Sequence, residues 1–477
     1  MWHLRRRVWL PMPVGLLLLG VACCATAGLA AQVSKGPGDQ AIAVAVADGH
    51  AGAFVAWCET GVRQYDVYVQ HYDASIHATW ATGAVHVTGA ARLIDTYDMP
   101  ALVADGSGGA IVIWTEYNLR NRSGQILAQR ITGEGHALWG TRGIVVGEGT
   151  VCEPRAVTDM KGGALIVWGP DDLHLQRIAA DGRACWPNGG IRLGVGGVVQ
   201  VSIVPDGKSG AIVGWVDGRR YAELMIPDTD IYAQHVDASG RVLWSGGGKQ
   251  LGRHGTLPSL NASDDGGATA AWVRTSGRPE QAIFAQRITF SGVLVWGDTG
   301  VVVRHSPSLW FLREGAVAGG VAAGASAFWM EVRSNAWQVH AQWIAKDGGH
   351  SDGDEGVLVS DGVVSPGLAV SNGRGGVAFA AWAHKETMAP GAALDYARIF
   401  VQRFGANGKT QWRQGGVPAG APARGAGRPI VVADDGGGAF ILWYAGVTAG
   451  AREIWLAHVL ADGTAAPTNI RLGEASR

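Results

Sequence analysis

The stretch Asp105–Trp114, DGSGGAIVIW, joins a polar, glycine-rich segment to an apolar run that ends in tryptophan. A phosphate-binding glycine loop would lead into a helix and would usually carry a lysine. Here the glycines are followed by Ala110–Trp114, a run of β-branched and aromatic residues that is typical of a strand. The stretch therefore predicts a tight turn that enters a buried β-strand.

The same pattern occurs eight times along the chain. The tryptophans that end it are 57, 54, 47, 57, 57, 53 and 61 residues apart. A regular period of this size indicates a repeat architecture. These eight tryptophans, called column one below, are Trp57, Trp114, Trp168, Trp215, Trp272, Trp329, Trp382 and Trp443.

Each unit also carries a second signature, in which a glutamine precedes a tryptophan by ten residues. The sixth unit keeps Gln342 without the tryptophan, and in the eighth unit His458 replaces the glutamine and Thr468 the tryptophan. The six tryptophans, called column two, are Trp80, Trp139, Trp186, Trp244, Trp296 and Trp412.

A unit divides into four short strands with no helical spacing of apolar residues. The second strand is apolar at Ala110, Val112 and Trp114 and also at Ile111 and Ile113, so both of its faces should be buried. We therefore predict an all-β fold, an eight-bladed β-propeller of four-stranded antiparallel blades. The alternative is an open stack, but the terminal units lack the polar surface that capping repeats need.

The predicted domains are an export signal over residues 1–31 and a single propeller over 32–477. The predicted blades are 39–89, 90–147, 148–195, 196–253, 254–306, 307–362, 363–420 and 421–477.

The N-terminal segment has the pattern of an export signal. Arg5–Arg7 precede an apolar stretch, and cleavage after Ala27 or Ala31 would start the mature protein between Gly28 and Gln32. We expect a protein that is secreted, periplasmic or on the cell surface, without stable membrane insertion after cleavage. An uncleaved anchor and a lipidated Cys23 are the alternatives.

The composition limits the function further. A net charge of −1 and a charged fraction of 17% argue against a nucleic-acid partner. Cys58, Cys152 and Cys185 would survive cleavage, and Cys152 could pair with Cys185. We expect a monomer without a metal site or cofactor, because no spacing of cysteines and histidines is typical of zinc.

The repeated polar residues have structural interpretations. Gly108 and Gly109 should provide the positive φ angles of the turn, and Asp105 should bond its amides as an Asx turn. We expect the glutamine of the second signature to lock each blade with hydrogen bonds, a ring of substrate-binding amides being the alternative. These glutamines are Gln70, Gln129, Gln176, Gln234, Gln286, Gln342 and Gln402.

The segment Ile126–Trp139 resembles the tryptophan-docking repeat of eight-bladed quinoprotein dehydrogenases and of the related outer-membrane assembly propeller. Ala128, Gly135 and Trp139 match that repeat in order, with one extra residue between the alanine and the tryptophan. At the position where the docking repeat has an acidic residue, this chain has arginine or histidine, such as Arg130. No quinone cofactor is therefore predicted. The whole unit is more similar to repeats of secreted bacterial surface proteins, which implies architecture without assigning a function.

Function is expected on one face of the ring. The separation between column one and the following glutamine, or His458 in the last unit, varies from 8 to 20 residues, whereas the opposite turn keeps one length. Variable insertions of this kind usually map to the binding face. We predict a binding or scaffolding module for a protein or glycan partner, without catalytic residues, that uses Asp217, Arg219, Arg220 and Tyr221.

Two enzymatic alternatives remain open. A glycoside hydrolase or sialidase-like enzyme would need converging carboxylates, for which Glu59, Glu116, Asp217 and Glu331 are the candidates. A quinoprotein-type oxidoreductase is disfavoured by the departures from the docking repeat.

Overall fold

The protein is all-β in the computed structural model, and the part of the chain that it describes contains strands and turns without an α-helix. The described residues are 31–32, 39–60, 65–88, 99–118, 123–149, 154–169, 172–187, 189–195, 197–218, 229–244, 246–274, 281–306, 312–321, 324–333, 336–350, 353, 355–372, 376–386, 396–448 and 451–465.

The first half of the ring consists of four separate antiparallel sheets, each with four strands in sequence order. The strands are β2 (Asp39–Ala47), β3 (Ala53–Thr60), β4 (Tyr65–Tyr72), β5 (Val85–His86), β6 (Ala101–Ala104), β7 (Ala110–Asn118), β8 (Ser123–Ile131), β9 (Ile144–Gly149), β10 (Arg155–Thr158), β11 (Ala164–Trp168), β12 (Asp172–Ile178), β13 (Ile191–Val195), β14 (Val198–Pro205), β15 (Ala211–Asp217), β16 (Asp230–Val236) and β17 (Lys249–Arg253).

The second half contains two more four-stranded sheets and one continuous eight-stranded sheet, which holds the sixth and seventh units. The strands are β18 (Gly255–Ala262), β19 (Ala268–Arg274), β20 (Gln281–Ile288), β21 (Val301–Ser306), β22 (Leu312–Val321), β23 (Gly324–Arg333), β24 (Ala336–Ala345), β25 (Val357–Asn372), β26 (Ala378–Lys385), β27 (Tyr396–Phe404), β28 (Val417–Pro418), β29 (Ala423–Arg424), β30 (Gly427–Ala433), β31 (Ala439–Thr448), β32 (Ala451–Val459) and β1 (Ala31–Gln32).

The units form a closed β-propeller. Their first strands are innermost and touch one another in the order β2, β6, β10, β14, β18, β22, β25, β30 and again β2. The long strand β25 is the outer strand of blade six and then the inner strand of blade seven, which explains the eight-stranded sheet. The last and first blades share one apolar cluster, in which Phe440 and Leu442 pack with Val55 and Trp57.

The last blade takes its outer strand from the start of the chain. Ala31 pairs with Leu456 and Gln32 with Trp455 in the antiparallel ladder between β1 and β32. Blade eight therefore combines strands from the two ends of the chain, which closes the ring through backbone hydrogen bonds.

The second strand of each blade is buried on both faces because it lies between two neighbouring blades. In β7, Ile111 and Ile113 pack in the cluster shared with blade three, whereas Ala110 and Val112 pack in the cluster shared with blade one. All eight tryptophans of column one are buried. The apolar run of the opening stretch is therefore the contact layer between blades.

The turn before that run is the predicted Asx turn. Asp105 Oδ1 accepts hydrogen bonds from the amides of Ser107 at 2.7 Å and Gly109 at 2.8 Å. The expectation for the glycines was partly wrong, because positive φ occurs at Gly106 and Gly108 rather than at Gly109. Gly109 is needed for space, since a Cβ there would lie 2.5 Å from the carbonyl oxygen of Ile131.

The repeated glutamine makes the predicted lock in blades two to five and in blade seven. In blade six Gln342 donates to the Gly353 carbonyl while its Oε1 is unpaired, and in blade one Gln70 accepts a bond from the His71 amide. Gln286 Oε1 accepts a hydrogen bond from the Trp296 amide at 3.0 Å, and its Nε2 donates to the Gly297 carbonyl at 2.6 Å. In the last blade the prediction was wrong by one residue. His458 pairs with Phe440 as His235 pairs with Ile212, so His458 follows the glutamine position, which Ala457 occupies.

The residue after the glutamine joins the turn aspartate on the side of the ring that we call the turn face. Arg177 bonds Asp159 at 2.8 Å and reaches the carbonyl oxygen of Ala238 in the next blade at 3.3 Å. Column two binds the next blade in the same way, as when Trp139 Nε1 donates to the Ala180 carbonyl at 3.2 Å. The aspartate pairs are Asp48–His71, Asp105–Arg130, Asp159–Arg177, Asp206–His235, Asp265–Arg287 and Asp434–His458.

Candidate functional site on the variable-loop face

The opposite side of the ring, called the loop face, carries the ends of the second strands and the connections between blades. The four acids proposed from the sequence occupy one equivalent position there, two residues after column one, in blades one, two, four and six. Because each lies in a different blade, strand pairing brings no two of them together. These acids are Glu59, Glu116, Asp217 and Glu331.

Two of these acids face a second carboxylate on the neighbouring strand. In blade four, Asp217 lies directly opposite Asp230, and Asp230 lies opposite Arg253 on the outer strand. Directly opposite residues share one face of a sheet, with Cβ atoms about 4.5–5.5 Å apart. The end of blade four therefore presents two carboxylates and a guanidinium side by side, of which sequence reasoning identified only Asp217.

The carboxylate of Asp230 is only half satisfied. Its Oδ2 accepts a hydrogen bond from Gln250 Nε2 at 2.8 Å, while Oδ1 is buried without a hydrogen-bond partner. A buried carboxylate oxygen normally finds a donor, because leaving it unpaired is destabilising. Asp230 Oδ1 therefore presents an unused acceptor beside Asp217.

The loop that connects this pair is attached at both of its ends. The Gly218 amide donates to the Gly197 carbonyl at 2.7 Å, and Thr229 Oγ1 donates to the Gly255 carbonyl at 2.6 Å. These contacts hold the two carboxylates against the connections to the neighbouring blades. The other predicted binding residues, Arg219, Arg220 and Tyr221, lie outside the described residues.

Blade one contains the matching pair, Glu59 opposite Asp66. Here both carboxylates have donors within the blade. Trp57 Nε1 donates to Glu59 at 3.1 Å, and Asp66 Oδ1 bonds His86 Nε2 at 2.9 Å and Thr88 Oγ1 at 3.2 Å. Asp66 Oδ1 thus has two partners within its blade, whereas the equivalent Asp230 Oδ1 in blade four has no hydrogen-bond partner.

Blade two has a single acid at this position. Glu116 is buried, and its Oε2 lies 3.9 Å from Arg142 Nη2 without a hydrogen bond. Its neighbour across the strand is Gln125 rather than a second carboxylate. Blade two therefore does not present a carboxylate pair.

Blade six holds the most strongly charged group of side chains on this face. Glu331 is buried and accepts hydrogen bonds from Arg304 at 2.8 Å, from Trp329 Nε1 at 3.0 Å and from Arg333. Burial alone would raise the pKa of Glu331, but the bonds from Arg304, Arg333 and Trp329 hold it below its usual value. Glu331 is therefore an ionised acceptor rather than a proton donor.

His340 lies beside this group, with Nε2 4.0 Å from Glu331 Oε1. Burial lowers its pKa, which favours the neutral imidazole. The ring stacks on Trp329 with centroids 5.5 Å apart, as Tyr232 stacks on Trp215 in blade four. His340 therefore occupies a structural stacking position of the repeat.

The residues that the structure describes contain no group of three or more histidine, cysteine, aspartate or glutamate side chains that could hold a metal ion. They also include no helix with the length and hydrophobicity to cross a bilayer. Among the described residues Cys58 and Cys185 form no disulfide, and Cys152 lies outside those residues.

No family model and no curated protein sequence matches the chain. Solved structures that it resembles include a polysaccharide lyase with 10% identity and a TM-score of 0.46, covering 94% of this chain and 99% of that one. An α-L-arabinofuranosidase from Fusarium graminearum has 9% identity and a TM-score of 0.37, covering 91% and 97%. The β-propeller domain of the trilobed protease from Pyrococcus furiosus has 8% identity and a TM-score of 0.39, covering 94% and 100%.

These comparisons correct the predicted function, and they support the propeller fold without identifying a repeat family. The prediction of a non-catalytic binding module is wrong, because the similar structures include enzymes named for cleaving polysaccharides and arabinosides. At identities near 10% the likenesses transfer no substrate and no catalytic residue to this chain. What is shown is that the chain is an all-β propeller, similar in fold to these proteins.

Proposed function

We propose that the protein is an exported enzyme that cleaves glycosidic bonds, with its reactive centre at Asp217 and Asp230 on the loop face of blade four. The N-terminal signal pattern and the similarity of the repeats to secreted bacterial surface proteins support export. The catalytic part rests on one observation, the carboxylate pair with an unpartnered acceptor oxygen on Asp230.

The pair suits glycoside hydrolysis because that reaction uses two carboxyl groups on opposite sides of the scissile bond. Retaining enzymes hold these groups about 5–5.5 Å apart, and side chains on directly opposite strand residues, whose Cβ atoms are about 4.5–5.5 Å apart, can place two carboxyl groups at such a separation. The energetic cost of placing two carboxylates side by side also favours a catalytic role for the pair. Two like charges directly opposite each other weaken a sheet, so a blade built only for stability would avoid them.

In the proposed retaining reaction the two carboxylates have different roles. Asp230, which Gln250 holds through Oδ2, supplies the carboxylate that attacks the anomeric carbon as the glycosidic bond breaks. Asp217 gives its proton to the leaving oxygen and then takes a proton from the water that hydrolyses the glycosyl ester. Arg253, opposite Asp230, offsets the negative charge of the pair.

The long loop between the two aspartates provides the binding surface in this proposal. Arg219, Arg220 and Tyr221 would contact the sugar beside Asp217, since an arginine fork binds hydroxyl and carboxylate groups and a tyrosine ring packs against a sugar face. Long loops on one face of a rigid ring are a common location for substrate recognition. Shortening the loop would therefore weaken substrate binding more than it changes stability.

The test compares variants of the open pair with variants of the satisfied pair. The purified protein is assayed on arabinan, xylan, polygalacturonate, alginate and carrageenan, with release of reducing ends as the readout. We expect Asp230→Asn and Asp217→Asn to lower the rate at least about 100-fold, the lower range for loss of an acid–base group. The matched variants Asp66→Asn and Glu59→Gln should retain the rate of the unchanged protein.

Three results would overturn the proposal: no cleavage of any of these glycans, equal effects of the two sets of variants, or retained activity in Asp230→Asn. A product with an ultraviolet-absorbing double bond at its new end would identify elimination and would contradict hydrolysis by this pair. Circular dichroism and thermal unfolding of every variant separate loss of activity from loss of fold.

A further inference from the structure

On the loop face, the seam between blades five and six differs from the seams that follow blades two, three and four. In blades two to four, a glycine of the outer strand lies opposite the third-strand residue that comes three positions before the repeated glutamine. The column-one tryptophan of the next blade packs beside this glycine. A Cβ at Gly147 would lie 2.2 Å from Trp168, and one at Gly252 would lie 2.2 Å from Trp272. In blade five the equivalent residue is Arg304, opposite Ile283.

Arg304 crosses the seam and bonds Glu331 of blade six. The Arg304 side chain is 11% exposed and that of Glu331 is 3% exposed, so both charges are largely withdrawn from water. Removing two charges from water is costly, and the glycine–tryptophan seams of the earlier blades avoid that penalty. The glycine–tryptophan seams show that packing between blades does not require this ion pair. A role in ligand binding would explain why the pair is present.

A second arginine extends the group to the surface. Arg333 Nε bonds Glu331, and Arg333 Nη1 bonds the exposed carboxylate of Glu355 at 2.7 Å. The remaining nitrogen, Nη2, is buried without a hydrogen-bond partner. Glu331 therefore orients a guanidinium that has one donor unused and another held by a carboxylate that is 68% exposed.

An anion can enter where this group of side chains reaches the surface. Arg304 and Glu331 are largely buried, whereas Arg333 is 30% exposed and its outer partner Glu355 is 68% exposed. An exposed ion pair of this kind contributes little to stability, so an incoming anion can replace Glu355 at small cost.

We propose that Arg333 forms an anion subsite for acidic glycans, in which a carboxylate or sulfate group of the substrate displaces Glu355 and bonds Nη1 and Nη2 together. The planar guanidinium matches such groups with two parallel hydrogen bonds. This inference rests on the proposed function and refines it, because it names the chemical class of the substrate. The subsite lies on the same face of the ring as the aspartate pair, two blades away.

The experiment measures binding by calorimetry in the Asp230→Asn background, so that cleavage does not interfere. The probes are oligosaccharides from polygalacturonate, with carboxylates only, from carrageenan, with sulfates only, and from arabinan, with neither. We expect at least one acidic probe to bind at least tenfold more tightly than the neutral probe at low salt. Arg333→Gln should remove that difference.

A second variant gains affinity and therefore cannot be explained by misfolding. Glu355→Gln removes the competing carboxylate, so it should strengthen binding of the acidic probe several-fold and leave the neutral probe unchanged. Arg192→Gln is the matched control, because Arg192 is an exposed arginine of the loop face that pairs with Asp172 at 2.5 Å. It should change neither binding constant.

The outcomes separate the two proposals. An acidic preference that persists in Arg333→Gln, a weaker acidic probe in Glu355→Gln, or the absence of any acidic preference overturns the subsite. Those results do not affect the proposed catalytic role of the aspartate pair if Asp230→Asn still abolishes cleavage. Binding that depends on Arg333 in a protein that cleaves nothing would retain the subsite and reject the enzyme.

Discussion

The two faces of the ring use the same repeat in opposite ways. On the turn face, successive blades repeat one set of contacts: the Asx turn, the aspartate with its arginine or histidine, and the tryptophan that binds the next blade. On the loop face, equivalent positions carry Glu59 with internal donors, Asp217 beside a second carboxylate, and Glu331 between two arginines. Repetition therefore marks residues that hold the ring together, and departures from it mark candidates for chemistry.

Blade six shows that the turn face can also change its residues while keeping the contact. It lacks the tryptophan of column two. Trp343 occupies the position directly after the repeated glutamine, where other blades have arginine or histidine. A Cβ on Gly408 of blade seven would lie 2.7 Å from Trp343, as one on Gly182 would lie 2.9 Å from Trp139. Trp343 thus fills the same space between blades from a different position in the sequence.

The largest expected effect comes from removing a contact of the turn face. Trp139→Ala should lower the free energy of unfolding by about 3–5 kcal/mol, because it empties a buried site between blades and removes the bond to the Ala180 carbonyl. Urea unfolding followed by tryptophan fluorescence measures the change. The loop-face control Arg192→Ala removes only an exposed ion pair and should change stability by less than about 1 kcal/mol. Equal effects would abolish the distinction between the faces.

A smaller effect is expected from the glutamine lock. Gln286→Leu should destabilise the protein by about 1–3 kcal/mol, because the Trp296 amide and the Gly297 carbonyl lose their partner. Gln125→Leu is the control, since this half-buried glutamine bonds the side chain of Glu148 on the loop face. Thermal unfolding of both variants makes the comparison. A Gln286→Leu protein as stable as its control would show that the lock is dispensable.

Asp434 on the turn face should make the stability of the protein depend on pH in the acid range. Burial would raise the pKa of Asp434, but hydrogen bonds from His458 and the Gly438 amide lower it below its ordinary value of 3.8. A carboxyl group with a depressed pKa contributes stability above its ordinary pKa, and that contribution is lost as the pH falls through the folded-state value. Urea unfolding should show a steeper loss below about pH 4 in the unchanged protein than in Asp434→Asn. Parallel pH profiles would contradict this linkage.

The smallest effect concerns the turn backbone. Met160 has a positive φ of 59° and an exposed side chain, at the position where Gly106 stands in blade two with φ of 72°. Met160→Gly should raise the free energy of unfolding by at most about 1 kcal/mol, since a side chain is disfavoured in the left-handed region. Gly106→Ala should have the opposite sign, because a Cβ there meets nothing within 4 Å and only the φ is unfavourable. Thermal unfolding of both proteins measures the two signs.

Most of the fold could be predicted from the sequence because each blade repeats its own local signals. The Asx turn of Asp105, the apolar run to Trp114 and the Gln286 lock depend on residues close in sequence, so their spacing was sufficient evidence. His458 was misassigned by one position because without the following tryptophan the sequence offers no second landmark for the register. Trp343 was missed because its role exists only beside the next blade.

The candidate site could not be predicted in the same way. Asp217 was identified because it begins a long loop, whereas Asp230 ends that loop and becomes its partner only when β15 and β16 pair. The proposed reactive pair therefore has no motif in the sequence. A catalytic arrangement made by strands on either side of a variable loop has no fixed sequence spacing.

The sequence by itself determined the all-β propeller, because the period of the tryptophans, the turn residues and the doubly apolar second strands each reflect local backbone and burial preferences. Only the tertiary structure decided which equivalent acids acquire partners. It left Asp230 Oδ1 buried without a hydrogen-bond partner in blade four, gave Asp66 Oδ1 a partner in blade one, and placed Arg304 against Glu331 across a seam. The physical reason is that charge and hydrogen bonding depend on distances between strands and between blades, which a one-dimensional repeat does not specify.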